Sequence, residues 1–199
     1  MNTTAYAPVL VDAYGLTNSK IKNCALVAAG AAVVGLAAQV SVPLWPVPVT
    51  GQTLAVLVVG AMLGARRGAA ALGLYVVAGL TGVPWFADFG GGPAYVLHPS
   101  FGFVVGFIGA AWVAGWAAER KWDRGALRAF GAFAVASLIP FVVGIPYMWA
   151  VLDFAFGKSL SLWGALQAGL IPFIPGGIIK AIIAALILRL AWKLPRMKH

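Results

Sequence analysis

PFIPGGIIKAIIAALILRLAW, residues 172–192, decides how this chain is read. It is long enough to cross a hydrocarbon core of about 30 Å, opens on a Pro/Gly cluster and carries one lysine, Lys180, well inside its apolar run. An ammonium group inside a membrane span costs several kcal/mol on most scales and normally marks a ligand, ion or proton pathway. No acidic residue lies near it in sequence. Two readings stay open: Lys180 meets something anionic, or it snorkels to the headgroups from near a helix end. Pro175-Gly176-Gly177 predicts that Lys180 sits within the first turn or two of the helix. The free N–H groups and the positive dipole end there already favour an anion.

The rest of the chain has the same character. Of 199 residues 62% are hydrophobic and 10% charged, and the mean hydropathy is +0.93. This composition excludes a soluble domain and predicts an all-α membrane protein with six transmembrane helices in a single bundle. The expected spans are 21–42, 51–65, 68–87, 100–118, 127–150 and 176–194. Twelve of the 14 Lys and Arg residues then fall on one side: Lys20, Lys22, Arg66, Arg67, Arg120, Lys121, Arg124, Arg128, Arg189, Lys193, Arg196 and Lys198. Only Lys158 lies in an opposite loop, and Lys180 lies within a span. Cytoplasmic loops attract basic residues, so both termini are expected in the cytoplasm of a multi-pass cell-membrane protein. The net charge of +9 is therefore topogenic and does not indicate nucleic acid. Residues 1–19 have no apolar signal-peptide core and are expected to form a mobile or surface-lying arm ahead of a membrane domain at 20–199. One cysteine, Cys24, and two histidines, His98 and His199, supply neither an intramolecular disulfide nor a zinc cluster. No metal and no cofactor is expected.

Pro and Gly gather in three segments assigned to the outside, 41–52, 82–100 and 151–177, while the inner turns are short and basic. Non-helical backbone near a bilayer persists where protein covers it or where it lines a cavity, so these segments predict a capped pocket. Its candidate polar groups are Thr50, Gln52, Thr53, Asp88, Tyr95, His98, Ser100 and Tyr147. Trp45, Trp85, Phe86, Phe101 and Phe173 are candidate apolar walls. Each polar residue, taken alone, reads equally as a cap or a solvated loop residue, and each tryptophan as a bilayer anchor. In the first span Ala25/Ala29, Ala28/Ala32 and Ala31/Gly35 are small-xxx-small pairs that admit a close helix. That helix belongs either to the bundle or to a separate subunit.

The runs VPVTGQTLAVLVVGAMLGARRGAAALGLYVVAGLTGVPWFA (47–87), AGWAAERKWDR (114–124), VVGIPYMWA (142–150) and GLIPFIPGGIIKAIIAA (169–185) resemble BioY. BioY is the biotin-specific membrane subunit, or S component, of energy-coupling-factor vitamin transporters. The likeness runs from about residue 20 to near the end. It implies a six-helix S component that takes biotin near its extracellular face under the first, third and fifth loops. It also implies docking of the first helix, through Ala25, Ala28, Ala29 and Ala32, to a transmembrane coupling protein driven by two ATPase subunits. The family lysine that meets the biotin carboxylate falls on Lys180. The family usually has an acid directly after the PG of this motif, where this chain has Gly177, and its PTGGY pattern is PSFGF at 99–103. Asp88 is the expected substitute for the missing acid.

A cation, apolar walls and a few amide or hydroxyl groups match the carboxylate, tail and ureido head of biotin, and would match other amphipathic anions too. An integral-membrane enzyme would need paired acid/base groups or a metal, and the five acidic residues lie in the arm, the loops or at span ends. A stand-alone secondary or facilitative transporter is the alternative, although a coupling carboxylate within the bundle is not evident. With no GxxxxGK[ST] sequence, ATP would be hydrolysed only by partner subunits.

Overall fold

A computed structural model describes residues 7–194. Eight α-helices run α1 (Leu10–Ala13), α2 (Lys20–Ala38), α3 (Gln52–Leu63), α4 (Ala65–Leu80), α5 (Phe101–Ala118), α6 (Ala126–Phe156), α7 (Leu162–Gly169) and α8 (Phe173–Lys193). A two-stranded antiparallel ribbon, β1 (Ser41–Val42) with β2 (Val49–Thr50), joins α2 to α3 and pairs Ser41 with Thr50. Helices α2, α5, α6 and α8 are long and apolar enough to cross a membrane. At about 1.5 Å per residue α3, with 12 residues, spans about 18 Å and α4, with 16, about 24 Å, both short of a full hydrocarbon core.

Local chemistry sets the ends of these helices. Ser19 caps α2 by accepting from the Lys22 N–H at 3.1 Å. Between α3 and α4 the chain turns on Gly64 at φ 85°, a left-handed value that glycine adopts without a Cβ penalty. The Ala65 N–H that opens α4 donates to Glu119 Oε1 at 2.9 Å, which ties this turn to the end of α5. Gly157, also left-handed, closes α6.

Helix α5 is the hub, packed on α3, α4 and α6. The approach is backbone to backbone: a side chain at Gly60 of α3 would strike the Ala111 carbonyl, and one at Gly115 would strike Gly64 and Ala65. Small residues at such crossings are how membrane helices gain close dispersion contact where lipid offers no hydrophobic drive. On α2 the buried stripe is Gly30, Ala31, Val34, Gly35 and Ala38, whereas Ala25, Ala28, Ala29 and Ala32 face outward. The Ala31/Gly35 pair is thus internal, with Gly35 against the Trp85 ring, and the Ala28/Ala32 pair is presented to the surroundings.

Three expectations change. The third span, expected over 68–87, ends as a helix at Leu80, because Gly82 at φ 114° and Pro84 turn the chain away. The segment 151–177, expected as a loop, is mostly helical: α6 runs on to Phe156, α7 follows, and α8 begins at Phe173 with Pro175 in its first turn, where a missing N–H costs nothing. Of the arm expected over 1–19, residues 7–19 are described, and 7–14 are docked on the bundle. Val9, Leu10 and Val11 are buried, the Ala7 N–H donates to the Glu119 carbonyl, and Tyr14 donates its hydroxyl proton to the Ala191 carbonyl. Residues 1–6, Arg196, Lys198 and His199 lie outside the described residues.

Candidate functional site

The site lies where β2, the start of α3, the 82–100 segment and the first half of α8 converge. Lys180 donates from Nζ to the Thr50 carbonyl at 2.6 Å. No carboxylate of a described residue lies within ion-pairing distance of it. Since α8 starts at Phe173, seven residues and about 10 Å of helix separate Lys180 from the first helical residue. The lysine therefore sits about two turns in, deeper than the free N–H groups, and supplies the positive charge of this site from its own side chain.

A cavity of about 50 Å³ opens beside it, lined by Thr50, Gln52, Thr53, Tyr95, Ser100, Phe173 and Lys180 among others. Polar groups at its edge are engaged with one another. Thr50 Oγ1 donates to Gln52 Oε1 at 2.9 Å, and Gln52 Nε2 donates to Tyr75 Oη at 2.6 Å. The Tyr75 hydroxyl in turn donates to the Trp85 carbonyl at 3.1 Å. Gln39, the residue that caps the end of α2, donates to the Phe86 carbonyl and accepts from the Phe89 N–H, which fastens the 82–100 segment to the first long helix. Ser100, buried, joins Tyr95 Oη at 3.2 Å and His98 Nδ1 at 2.7 Å, and the His98 ring stacks on Tyr95 with centroids 4.9 Å apart. Burial raises the Tyr95 phenol above its ordinary value, Asp88 adding to the effect and the Ser100 hydrogen bond opposing it. Burial lowers His98, against the pull of Asp88. At neutral pH Tyr95 of the lining is therefore a neutral phenol, and the His98 imidazole behind it is biased toward its neutral form.

The expected site residues divide into three groups. Lys180, Thr50, Gln52 and Tyr95 line the cavity. Phe86, Phe101, Trp85, His98 and Tyr147 stand behind that lining. Phe86 is fully buried and packs at 4.5 Å on Tyr95, Phe101 lies between Phe86 and Tyr147, Trp85 donates to the Tyr75 carbonyl, and Tyr147 donates its hydroxyl to the Val96 carbonyl. Asp88 and Gly177 are outside. Asp88 is exposed and accepts from Ser41 Oγ at 2.6 Å, latching β1 to the 82–100 segment, so it is placed for bracing and not for lining. Gly177 is part-exposed, with open space around the position of a Cβ. Trp45 is likewise away from the cavity, under the Lys158 ammonium at 4.1 Å.

The lining also includes Phe103, Val104, Phe107, Ser137, Pro140 and Phe141, from the middle of α5 and α6, which the sequence reading did not select. Ser137 and Pro140 carried a signal: they are the hydroxyl and the ring that break an otherwise apolar run, and both are buried. A smaller core of Val47, Phe103, Met148, Leu152 and Ala165 fixes α7 and the end of α6 over this side of the site.

A family model described as the BioY family matches residues 11–196. A protein of Rhizobium etli named biotin transporter BioY is 37% identical over 170 residues, covering 82% of this chain and 87% of the relative. One of Thermotoga maritima with the same name is 37% identical, covering 78% and 87%. One of Pyrococcus horikoshii named probable biotin transporter BioY is 33% identical, covering 84% and 94%. A solved structure described as the S-component for biotin from an ECF-type ABC transporter superposes with a TM-score of 0.69 at 24% identity, over 90% of this chain and 95% of that one, a likeness of fold. The family model and these relatives match almost the whole chain, the helix crossings and the Lys180 cavity included, and the chain belongs to the BioY family.

Proposed function

We propose that this chain is the substrate-capturing subunit, the S component, of an energy-coupling-factor biotin transporter, with Lys180 holding the biotin carboxylate. One observation supports the reading above the others: a lysine inside an apolar helix with no acidic partner, its ammonium resting on a backbone carbonyl at the edge of an aromatic-lined cavity. An ammonium has three donors, and Thr50 takes one. A carboxylate entering beside Thr50 would gain charge-assisted bonds without displacing a competing acid. Phe103, Phe107, Phe141 and Phe173 offer apolar surface for the tail and ring edges, while Tyr95, Ser100 and Thr53 offer hydroxyls to the ureido head. Val47, Pro48 and Thr50 line the cavity, so an outward shift of the β1–β2 ribbon would widen it for capture.

In this reading α2, α3, α4, α5, α6 and α8 are the six spans, the short α3 and α4 lying where the ribbon and the 82–100 segment fill the remaining depth. Both termini face the cytoplasm and the cavity faces outward. Ala25, Ala28, Ala29 and Ala32 form the outward face of α2 on which the coupling protein docks, and two ATPase subunits supply the energy. Titration of the purified protein with biotin and close analogues tests the reading. Saturable binding of one biotin per chain is expected, and absence of binding in a folded, lipid-reconstituted preparation would overturn it.

A further inference from the structure

We infer that the groove between the basic ends of α5 and α6 is a binding site for one phospholipid with an anionic headgroup. The inference rests on the membrane placement proposed above. Along most of their length α5 and α6 leave no room between them: a Cβ at Gly106 would lie 2.6 Å from Pro140 Cα, and one at Gly109 would lie 2.9 Å from Ile139 Cγ2. At the basic end the two helices part, leaving a groove of about 550 Å³. Its walls are apolar: Val113 and Ala117 on α5, and Gly131, Ala132 and Val135 on α6.

Gly131 makes the notch. It lies in the interior of a long helix, exposed, with nothing within 4 Å of its Cβ position, so no neighbouring backbone requires a glycine there. The consequence of the missing side chain is the open slot itself. Trp116 and Trp122 close the groove at the basic end, their rings edge to face at 5.7 Å, and the Arg120 guanidinium lies 3.7 Å over the Trp116 ring. Arg128, one turn before Gly131, lines the mouth, is exposed, and has no hydrogen bond or ion pair with a described residue.

This is an apolar slot with indoles at interface depth and a cation at its mouth, on the side of the molecule where the basic residues collect. An acyl chain satisfies the slot and a headgroup of net negative charge satisfies Arg128, whereas the phosphate of a zwitterionic lipid is already offset by its own ammonium; only an amphiphile with an anionic head does both. A transmembrane helix of another protein would fill the slot but would leave Arg128 without a counter-charge unless it carried an acid at that depth.

Native mass spectrometry of the delipidated protein, given phosphatidylglycerol and phosphatidylcholine of identical acyl chains, tests this. Wild type should retain one phosphatidylglycerol in preference to phosphatidylcholine. Arg128→Gln should reduce that preference about fivefold, the weight of one basic residue near an anionic surface. Gly131→Phe, which fills open space, should lose the retained lipid of either kind. Equal retention by wild type and Gly131→Phe, or no headgroup preference in wild type, would overturn the proposal. So would a groove that takes no lipid yet becomes protected from labelling at a cysteine replacing Val135 when the chain sits in an assembled transporter, since the occupant would then be protein. Biotin binding by the same preparations reports separately: its absence in wild type strikes the proposed function, and its persistence alongside failed lipid retention strikes only the lipid site.

Discussion

Two cations, one at each end of the bundle, show how differently the same charge is used. Arg67, in the first turn of α4, is held by four hydrogen bonds: Nη2 meets Asp12 Oδ1 and Oδ2 at 2.8 and 2.9 Å, Nη1 donates to Asn23, and Nε donates to the Leu63 carbonyl. Lys180, in α8, has a single carbonyl partner and faces a cavity. A charge with four of its five donors used and matched by a carboxylate is a staple, here between the docked N-terminal segment and the α3–α4 turn. A charge with donors to spare beside a cavity is poised for an incoming anion, and its desolvation is offset only when that anion arrives.

The largest expected effect lies on the Lys180 side of this comparison. Lys180→Ala should weaken biotin binding by about 1.5–3 kcal/mol, the scale of a lost charge-assisted hydrogen bond, and Lys180→Arg should restore only part of it. Thermal stability should hold or rise, because an uncompensated ammonium leaves the apolar interior. The comparison would break if Lys180→Ala unfolded the protein while leaving affinity unchanged.

At the other end the effects should be the mirror image. Asp12→Ala should cost about 1–2 kcal/mol of stability, the lower part of the range for charged hydrogen bonds because both side chains are part-exposed, and should leave biotin affinity unchanged. Denaturation in mild detergent, run beside a binding titration, reads both quantities. A fall in affinity with no fall in stability would remove the distinction between staple and receptor.

A third charge, Asp123 in the α5–α6 turn, sharpens the contrast by pH. Its carboxylate is buried, with Oδ2 accepting from Trp192 Nε1 at 2.5 Å and Oδ1 lacking a partner among the described residues. Burial raises it above its ordinary value of 3.8, against the Trp192 hydrogen bond and the charge of Arg124. A raised folded value means that the folded state holds the proton more tightly. Asp123 therefore contributes stability that is present below about pH 4 and is lost as pH rises through its folded value. The difference in Tm between Asp123→Asn and wild type should move in favour of the variant as pH rises from 4 to neutral. A difference that stays flat or moves the other way would contradict the burial account.

The smallest expected effect is at Gly177, where a Cβ meets open space. Gly177→Asp, which restores the acid usual in the family pattern, should tighten biotin binding by less than about 1 kcal/mol, the new carboxylate being one turn from Lys180 and partly paired with it. Weaker binding at unchanged stability would show that this chain's cavity is built around other contacts.

How far the sequence foretold this arrangement differs from region to region. The helices and Lys180 were legible because hydropathy and an isolated charge are local properties of the chain. The docked residues 7–14 were not: Val9, Leu10 and Val11 form too short an apolar run to announce burial, which comes from packing on α3 some fifty positions away, with Ala7 and Tyr14 bonded to Glu119 and Ala191 farther along. Pro and Gly marked 151–177 as a loop, yet α6 continues through Phe156 because its neighbours at Met148 and Leu152 are buried under α7, and tertiary packing overrode composition. Phe86 and Phe101 were chosen for being aromatic near the mouth, and packing sent both into the core behind Tyr95, while Phe103 and Phe141, hidden in apolar runs, reached the cavity. Residue type pointed to Lys180, Thr50, Gln52 and Tyr95 of the cavity lining, and which face of each helix lines the cavity was decided by contacts that a single sequence does not display.

In the proposed function the Lys180 ammonium holds a carboxylate. A cycle of four affinities, biotin and biotin methyl ester against wild type and Lys180→Ala, tests it most directly. The acid should lose about 1.5–3 kcal/mol in the variant, while the ester, already weak in wild type, should lose little further. Equal losses for acid and ester would contradict it.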